Sequence, residues 1–169
     1  MQRLPDLLTV TRGFIALAMV ALGFVGREAL TAVVVLMMIG WTTDIFDGRV
    51  ARRIQKPSTW IGDHEFTFDM LMVLGSLFYL VLADFVPLVL AAIYVAVAAL
   101  FIVVLRSKMV TMTFAVPWVA APLYFAFVYE RSVGFWFLGW IVAALLLDWK
   151  RFKGVVVEFI ENARELAKR

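Results

Sequence analysis

Two pairs of acidic side chains stand out because their types and spacing could do chemistry. Asp44 and Asp47 are three residues apart, and Glu65 and Asp69 are four apart. Either spacing places both carboxylates of a pair on one face of an α-helix. Four carboxylates at one place repel one another, and a hard divalent cation relieves that repulsion, since Mg²⁺ prefers oxygen ligands and keeps positions open for phosphates. The pattern therefore favours metal-assisted phosphoryl-type transfer, in which two ions hold the attacking and leaving oxygens.

Small and basic residues accompany these pairs. Gly48 and Gly62 have no side chain, so a ligand can approach the backbone closely at either position. Arg52 can contact a phosphate through two parallel hydrogen bonds. Arg106 and Lys108 form a second basic pair. For that pair a phosphate-bearing acceptor and a plain positively charged membrane anchor both remain open, and the anchor is favoured.

Two further residues allow two interpretations each. Arg12 lies within an apolar stretch, where it can serve the substrate phosphates or extend its charged end to the membrane surface. His64 is the only histidine and lies between candidate ligands, so it can support one of them or stand exposed in water. The exposed interpretation of His64 is favoured.

The elements that carry these residues are predicted to be membrane-spanning helices. The chain is 64% hydrophobic and 17% charged, against about 45–50% and about 25% in soluble domains. The first three of six charge-free runs reach spanning length, about 20 residues, only by absorbing the charged flanks Arg12, Asp44 with Asp47, and Glu65 with Asp69. Ionisable residues in a membrane usually face a bundle interior. The helices of the first three runs should therefore line a polar site, and the helices of the last three runs should form the surrounding wall. The six runs are Gly13–Gly26, Ala29–Thr43, Met70–Ala83, Phe85–Leu105, Met109–Tyr129 and Ser132–Leu147.

Composition also excludes several classes of protein and predicts a topology. The chain has no cysteine, which excludes a disulfide scaffold and a thiolate site. Its net charge is only +3 and its basic residues fall between apolar runs, which argues against nucleic acid as a partner. When the six runs alternate in direction, every lysine and arginine except Arg27 and Arg131 falls on one side. That asymmetry predicts that both termini and the active site face the cytoplasm.

The C-terminal tail has a different pattern. Its apolar residues recur at helical spacing beside a charged face, which predicts an amphipathic helix. Such a helix can lie on the membrane surface, cover a partner or pack on its own bundle, and all three remain open. We therefore expect an all-α polytopic membrane protein, with a six-helix transmembrane catalytic domain over residues 1–149 and a cytoplasmic amphipathic helix over 150–169. The apolar residues of the tail are Val156, Phe159, Ile160, Ala163 and Ala167.

The first acidic pair resembles part of a known signature. The segment Asp44-x-x-Asp47-Gly48-x-x-Ala51-Arg52 is similar, position for position, to the first half of the CDP-alcohol phosphatidyltransferase signature, D-x2-D-G-x2-A-R-x8-9-G-x3-D-x3-D. Many members also carry a Leu-Thr-x-x-Arg pattern near the start, like residues 8–12 here, and about six membrane helices.

The second half of the signature departs from the family. In the preferred alignment Gly62 takes the place of the signature glycine, and one residue is missing after it. Glu65 then stands where the family has aspartate, and Asp69 takes the place of the last acid. Because glutamate is longer by one methylene, the reach from the helix to a metal must be readjusted.

The resemblance implies a site and a reaction. It implies that divalent ions, Mg²⁺ or Mn²⁺ and two in number, are held by Asp44, Asp47, Glu65 and Asp69. It also implies that Asp69 is the general base. The substrate would be CDP-diacylglycerol, whose lipid-bearing phosphorus is attacked by an alcohol while CMP leaves. A homodimer is implied as well.

The expected function is transfer of a phosphatidyl group from CDP-diacylglycerol to a small polar alcohol in phospholipid biosynthesis. Glycerol 3-phosphate is the first candidate acceptor, and a bacterial or archaeal cytoplasmic membrane is the expected location. Two alternatives stay open. One is a degenerate member that binds CDP-lipid or acts as a scaffold, suggested by Glu65. The other is a small ion or proton transporter. The position of the carboxylates near one interface, instead of at the midplane, argues against transport.

Overall fold

Helices make up nearly all of the described chain. The computed structural model describes residues 4–53 and 59–166, and within these ranges it contains no strand. The all-α class predicted from the sequence is confirmed. A short 3₁₀ turn, Arg27–Ala29, separates the first two helices. The helices are α1 Leu4–Gly23, α2 Leu30–Arg53, α3 Trp60–Asp63, α4 Glu65–Leu82, α5 Leu88–Leu105, α6 Lys108–Tyr129, α7 Arg131–Leu147 and α8 Trp149–Leu166.

The long apolar helices match the expected membrane spans. Helices α1, α2, α4, α5 and α6 are each long and apolar enough to cross a bilayer. Helix α7 has 17 residues and meets the same criterion only together with α8, which follows a bend of 86°. The described chain therefore has five or six candidate spans, as an integral membrane protein requires. The division into residues 1–149 and 150–169 stays a prediction.

The first three long helices absorb their charged flanks, as the run lengths predicted. Arg12 lies inside α1, Asp44 and Asp47 lie inside α2, and α4 begins at Glu65 and includes Asp69. These ionisable residues therefore belong to continuous helices and not to the loops between them. Because an α-helix has 3.6 residues per turn, Asp44 and Asp47 share one face of α2, and Glu65 and Asp69 share one face of α4.

Close packing of α1 against α4 brings the two backbones together. A Cβ atom added to Gly75 in α4 would lie 2.8 Å from the carbonyl oxygen of Ala16 in α1. Glycine is therefore required there, as is usual where membrane helices approach closely. Met19 of α1 is fully buried, and its methyl group would lie 3.0 Å from the same added Cβ atom. The packing fixes α1 relative to α4, and with it the groups that these two helices carry.

Helix α5 is the opposite case. Only Ala91 and Ala98 among its residues are buried, and large apolar side chains such as Leu88 and Val103 are more than 60% exposed. In a bilayer these side chains meet lipid tails, so exposure carries no penalty. Helix α5 thus contributes outer wall, in line with the role expected for it.

Candidate active site: carboxylates around Arg12

Arg12 lies at the centre of the acidic cluster. Its side chain is fully buried, and its Nη1 lies 2.8 Å from Oδ1 of Asp44. The same nitrogen forms an ion pair with Oδ1 of Asp69, and Nη2 lies 3.8 Å from Oε1 of Glu65. Nη2 also donates a hydrogen bond to Oγ1 of Thr9 at 3.1 Å. One guanidinium therefore joins carboxylates from α2 and α4 to α1.

Local helix geometry accounts for the position of each group. Thr9 precedes Arg12 by three residues and lies on the same face of α1. Its hydroxyl donates to the carbonyl oxygen of Pro5 at 3.1 Å, so its oxygen is oriented to accept from Arg12. Glu65 and Asp69 lie one turn apart on α4. The residues that meet at the site are thus presented by three packed helices.

The cluster has a buried floor and an open side. The side chain of Arg12 is 0% exposed, whereas those of Asp44, Glu65 and Asp69 are 20%, 40% and 33% exposed. The carboxylates can therefore be reached by water, an ion or a small polar molecule, while the guanidinium cannot. The three partly exposed carboxylates therefore lie around a buried, fixed positive charge.

The donor chemistry of the cluster fits Mg²⁺ or Mn²⁺. Three carboxylates around one guanidinium leave an excess of two formal negative charges when all four groups are ionised. All of the donors are carboxylate oxygens, which hard divalent ions prefer. Among the side chains that the structure describes, however, no group of three acidic, histidine or cysteine residues is arranged to hold an ion. The described carboxylates converge on Arg12, which sequence reasoning did not place at the centre.

Three of the expected site residues cannot be assessed in the same way. Asp47, Gly48 and Arg52 belong to the backbone of α2, but their side-chain surroundings lie outside the described residues. Their roles as metal ligand and substrate contacts remain predictions. The expected meeting of four carboxylates is therefore visible for three of them.

Gly62 lies in a segment that is tied to the start of α1. Its amide donates a hydrogen bond to Oγ1 of Thr59 at 3.1 Å, which caps the short helix α3. The Thr59 hydroxyl in turn donates to Oδ1 of Asp6 at 2.8 Å. His64, at the end of α3, is exposed and stacks on Trp60 with ring centroids 4.5 Å apart. The exposed interpretation of His64 agrees with this position, and a substrate contact at Gly62 remains a prediction.

The basic pair lies at the turn between α5 and α6. Arg106 ends α5 in a left-handed backbone conformation, with φ 45°, and is exposed. The Nζ atom of Lys108 forms an ion pair with Glu158 of α8 at 3.0 Å. It also lies 5.7 Å from the ring centroid of Phe66, the residue after Glu65. The structure thus brings Lys108 to Phe66 in the first turn of α4.

An apolar cavity adjoins Asp44. It has a volume of about 490 Å³ and lies between α2, α6, α7 and α8. Asp44 and Asp148 contribute carboxylates to a lining that otherwise consists of residues such as Trp41, Ala144 and Phe152. The cavity therefore combines a long apolar wall with an acidic edge that belongs to the candidate site.

Sequence reasoning missed Arg12 as the centre of the cluster and Asp148 as a wall of the cavity. The available signal for Arg12 was its place as a cation within the first apolar helix, where a buried charge needs partners. The signal for Asp148 was weaker. Its Oδ1 lies 3.9 Å from Nη2 of Arg49, a contact across 99 residues that local spacing cannot indicate.

Comparison with known families agrees with a polytopic membrane enzyme of this kind. The sequence model of the family described as CDP-alcohol phosphatidyltransferase matches residues 2–149. Since this match covers most of the 169 residues, the chain belongs to the CDP-alcohol phosphatidyltransferase family. Members transfer a phosphatidyl group from a CDP-alcohol to an acceptor, generally with divalent metal ions. Comparison with curated proteins and with solved structures finds no match.

Proposed function

We propose that this chain transfers the phosphatidyl group of CDP-diacylglycerol to a small polar alcohol and releases CMP, as a step of phospholipid biosynthesis. The observation that carries the proposal is the convergence of Asp44, Glu65 and Asp69 on one buried arginine, at the edge of an apolar cavity. A lipid-linked nucleotide needs both environments, since its diphosphate is ionic and its tails are apolar. Family membership supports this reaction over ion or proton transport.

The acidic cluster would hold the metal ions. Asp44, Asp47, Glu65 and Asp69 supply carboxylate oxygens of the kind that Mg²⁺ and Mn²⁺ prefer. Bound ions would neutralise the diphosphate and make CMP a better leaving group. We expect two ions, because four carboxylates on two helices exceed the needs of one.

Asp69 is the proposed general base. One of its oxygens is fixed by the ion pair with Arg12, and the side chain is 33% exposed. A small acceptor can therefore reach a carboxylate whose orientation is already set, and transfer its hydroxyl proton to it. Arg12 is a positioning residue in this scheme, because it is fully buried and acts through the carboxylates it holds.

The cavity beside Asp44 is proposed to receive the lipid part of the substrate. Its volume of about 490 Å³ lies within the range of ligand pockets, about 300–1,000 Å³. Trp41 and Ala144 form part of an apolar wall suited to an acyl chain. Because Asp44 belongs to both the wall and the acidic cluster, a lipid seated there would direct its diphosphate toward the carboxylates.

The acceptor is proposed to bear a phosphate, with glycerol 3-phosphate as the first candidate. Lys108 supports this choice, since its ammonium group lies beside Phe66 at the start of α4 and its side chain is 47% exposed. Gly48, Arg52, Gly62 and Arg106 are proposed as further substrate contacts. We also propose a homodimer in a bacterial or archaeal cytoplasmic membrane, with the site and both termini on the cytoplasmic side.

The decisive experiment measures CMP release by the purified full-length chain in detergent. CDP-diacylglycerol, Mg²⁺ or Mn²⁺ and a panel of alcohols are supplied, with and without a chelator. Asp69→Asn should lower the rate by about 10²–10⁴-fold, the usual contribution of a general base. Asp84→Asn is the matched control, because Asp84 lies after α4 in a left-handed turn that asparagine also adopts.

Release that is independent of metal, or unchanged in Asp69→Asn, would contradict the proposal. Metal-dependent binding of CDP without release from any acceptor would favour the second candidate, an inactive member that binds CDP-lipid or serves as a scaffold. One observation favours that candidate: Arg12 already neutralises part of the charge that a metal would meet.

A further inference from the structure

Helix α8 leaves the bundle nearly at a right angle. Residues Phe152–Arg164 are inclined by 86° to Arg131–Leu147 of α7. If α7 crosses the bilayer, a helix at this angle runs along the membrane surface and not through it. Its 18 residues give a length of about 27 Å. The orientation of α8 therefore follows from the membrane placement of α7, whether or not the chain is an active enzyme.

One side of α8 is apolar but remains largely exposed. Phe152, Val156, Phe159 and Ile160 share an arc of the helix and are 40%, 39%, 39% and 45% exposed. The bundle covers only a flank of this arc, where Phe152 and Val155 line the cavity beside Asp44. In water such an arc would be costly, so something outside the bundle must cover it.

Two cations of α8 lie at the border of its apolar arc. At about 100° per residue, Lys153 and Arg164 fall directly beside Ile160 at the border of the apolar arc. Glu158 falls on the far side and pairs with Lys108 of α6 at 3.0 Å. An acidic group thus faces the protein, while cations lie beside the uncovered apolar side chains.

An aromatic side chain marks the same border. The Nζ atom of Lys153 lies 5.6 Å from the ring centroid of Trp149. Lysine and tryptophan together are typical of the region where headgroups meet acyl chains. A helix with an apolar arc, border cations and this pair matches the pattern of helices that bind the surface of anionic membranes.

We propose that α8 binds the anionic phospholipids of the leaflet at the carboxylate end of the bundle. Val156, Phe159 and Ile160 would enter the acyl region, and Lys153 and Arg164 would pair with headgroup phosphates. The ligand is the surrounding lipid and not the lipid substrate in the cavity. Because α8 also supplies part of the cavity wall, its binding to the leaflet would hold that wall in place.

The natural absence of cysteine makes the test direct, since a single introduced cysteine is a unique labelling site. Ile160→Cys on the apolar arc and Glu161→Cys one residue on, toward the polar side, carry a nitroxide spin label. The full chain is placed in nanodiscs of phosphatidylcholine alone, or of an equal mixture with phosphatidylglycerol. Collision with oxygen reports lipid, and collision with a water-soluble nickel chelate reports water.

The label at position 160 should meet oxygen more than nickel in the mixed nanodiscs, and the label at position 161 should do the reverse. Replacing Lys153 and Arg164 by glutamine should shift the label at 160 toward water. The ratio of membrane-bound to water-exposed α8, read from the two collision rates, should fall about fivefold per cation removed. The shift should be smaller in phosphatidylcholine alone. Arg131→Gln, at the start of α7, should leave the ratio unchanged.

Equal water access at both positions in both membranes would overturn the proposal. So would shielding of position 160 from both reagents with dipolar broadening of the spectrum, because a second copy of the chain would then cover the arc. The same variants are assayed for CMP release. A lipid-seated label without CMP release would leave this inference standing while the proposed function fails.

Discussion

Arg12 and Arg27 lie toward opposite ends of the bundle and show how partners decide the role of a charge. Arg12 is buried and held by carboxylates. Arg27 donates to the carbonyl oxygen of Asp84 at 2.5 Å and lies 5.3 Å from the ring centroid of Phe85. Its described partners are carbonyl oxygens at a helix C-terminus and the rings of Phe85 and Tyr129. These groups carry no negative charge and take up no proton near neutral pH.

The difference teaches that a cation within a membrane bundle is not by itself a sign of chemistry. Arg27 begins the short 3₁₀ turn and donates to carbonyl oxygens at the C-terminal end of α4, so its role is complete within the fold. Arg12 gathers groups that are partly exposed and could exchange their partner for an ion. The predictions below separate these two roles, beginning with the largest expected effect.

Removing the charge of Arg12 should destabilise the fold most. In Arg12→Met the carboxylates of Asp44 and Asp69 lose their shared cation. We expect a loss of up to about 3 kcal/mol in the free energy of unfolding, the low end for breaking a buried ion pair, because both carboxylates are partly exposed. The measurement is reversible unfolding of the detergent-solubilised chain without divalent ions. An Arg12→Met variant as stable as the parent would show that the cluster does not need its cation.

Divalent ions should rescue Arg12→Met. Loss of one positive charge beside three carboxylates leaves a more negative site, so Mn²⁺ should bind on the order of tenfold more tightly. Because an ion that binds only the folded state stabilises it, the thermal midpoint should rise more with Mn²⁺ in Arg12→Met than in the parent chain. Equal shifts in both chains would place the ion away from Arg12.

Glu65 tests the departure from the family signature. Its carboxylate lies 3.8 Å from Nη2 of Arg12, and aspartate at this position would be shorter by one methylene. We expect Glu65→Asp to lower CMP release by about tenfold and Glu65→Gln by more, since the amide loses the charge that holds a metal. Increased release in Glu65→Asp would instead identify the glutamate as a partly inactivating substitution.

Arg27→Met should cost about 2 kcal/mol of stability, because two exposed cation–π contacts and two hydrogen bonds to carbonyl oxygens are lost together. CMP release per folded molecule should stay unchanged, and so should the response to Mn²⁺. This variant is the matched control for Arg12→Met. A change in metal response in Arg27→Met would contradict the division of roles between the two arginines.

The smallest effect is expected at the pair that joins α6 to α8. Lys108 and Glu158 are 47% and 50% exposed, so their coupling should be about 0.2–1 kcal/mol. A double-mutant cycle of Lys108→Gln and Glu158→Gln measures it from unfolding free energies. Coupling well above that range would mean that α8 is held mainly by this pair and not by its apolar arc.

Local patterns carried most of the fold. Apolar run lengths predicted the long helices, and charged flanks such as Asp44 and Asp69 predicted which helices line the site. Those signals depend on neighbours within a few residues, and therefore survive in the sequence alone. The convergence of Arg12 with Asp69 spans 57 residues, and it depends on how α1 packs against α4. No local period reports such a contact.

The dependence on helix packing also explains why the sequence did not predict Arg12 at the centre of the carboxylate cluster. Sequence spacing placed the carboxylates on common helix faces but gave no sign of what would lie between them. Helix packing inserted the guanidinium of Arg12 into that space. For Lys108, spacing indicated a basic turn, while its pairing with Glu158 required the bend between α7 and α8.

The contact of Gly75 with Ala16 has a consequence for how this chain tolerates change. Gly75 lies six residues beyond Asp69 in α4, and Ala16 lies four beyond Arg12 in α1. A methyl group at Gly75 would meet backbone atoms 2.8–2.9 Å away, so it must wedge the helices apart and lengthen the ion pair nearby. A residue without any functional group is thus as intolerant of substitution as the charged groups. In α5, by contrast, one apolar side chain can replace another at little cost in stability.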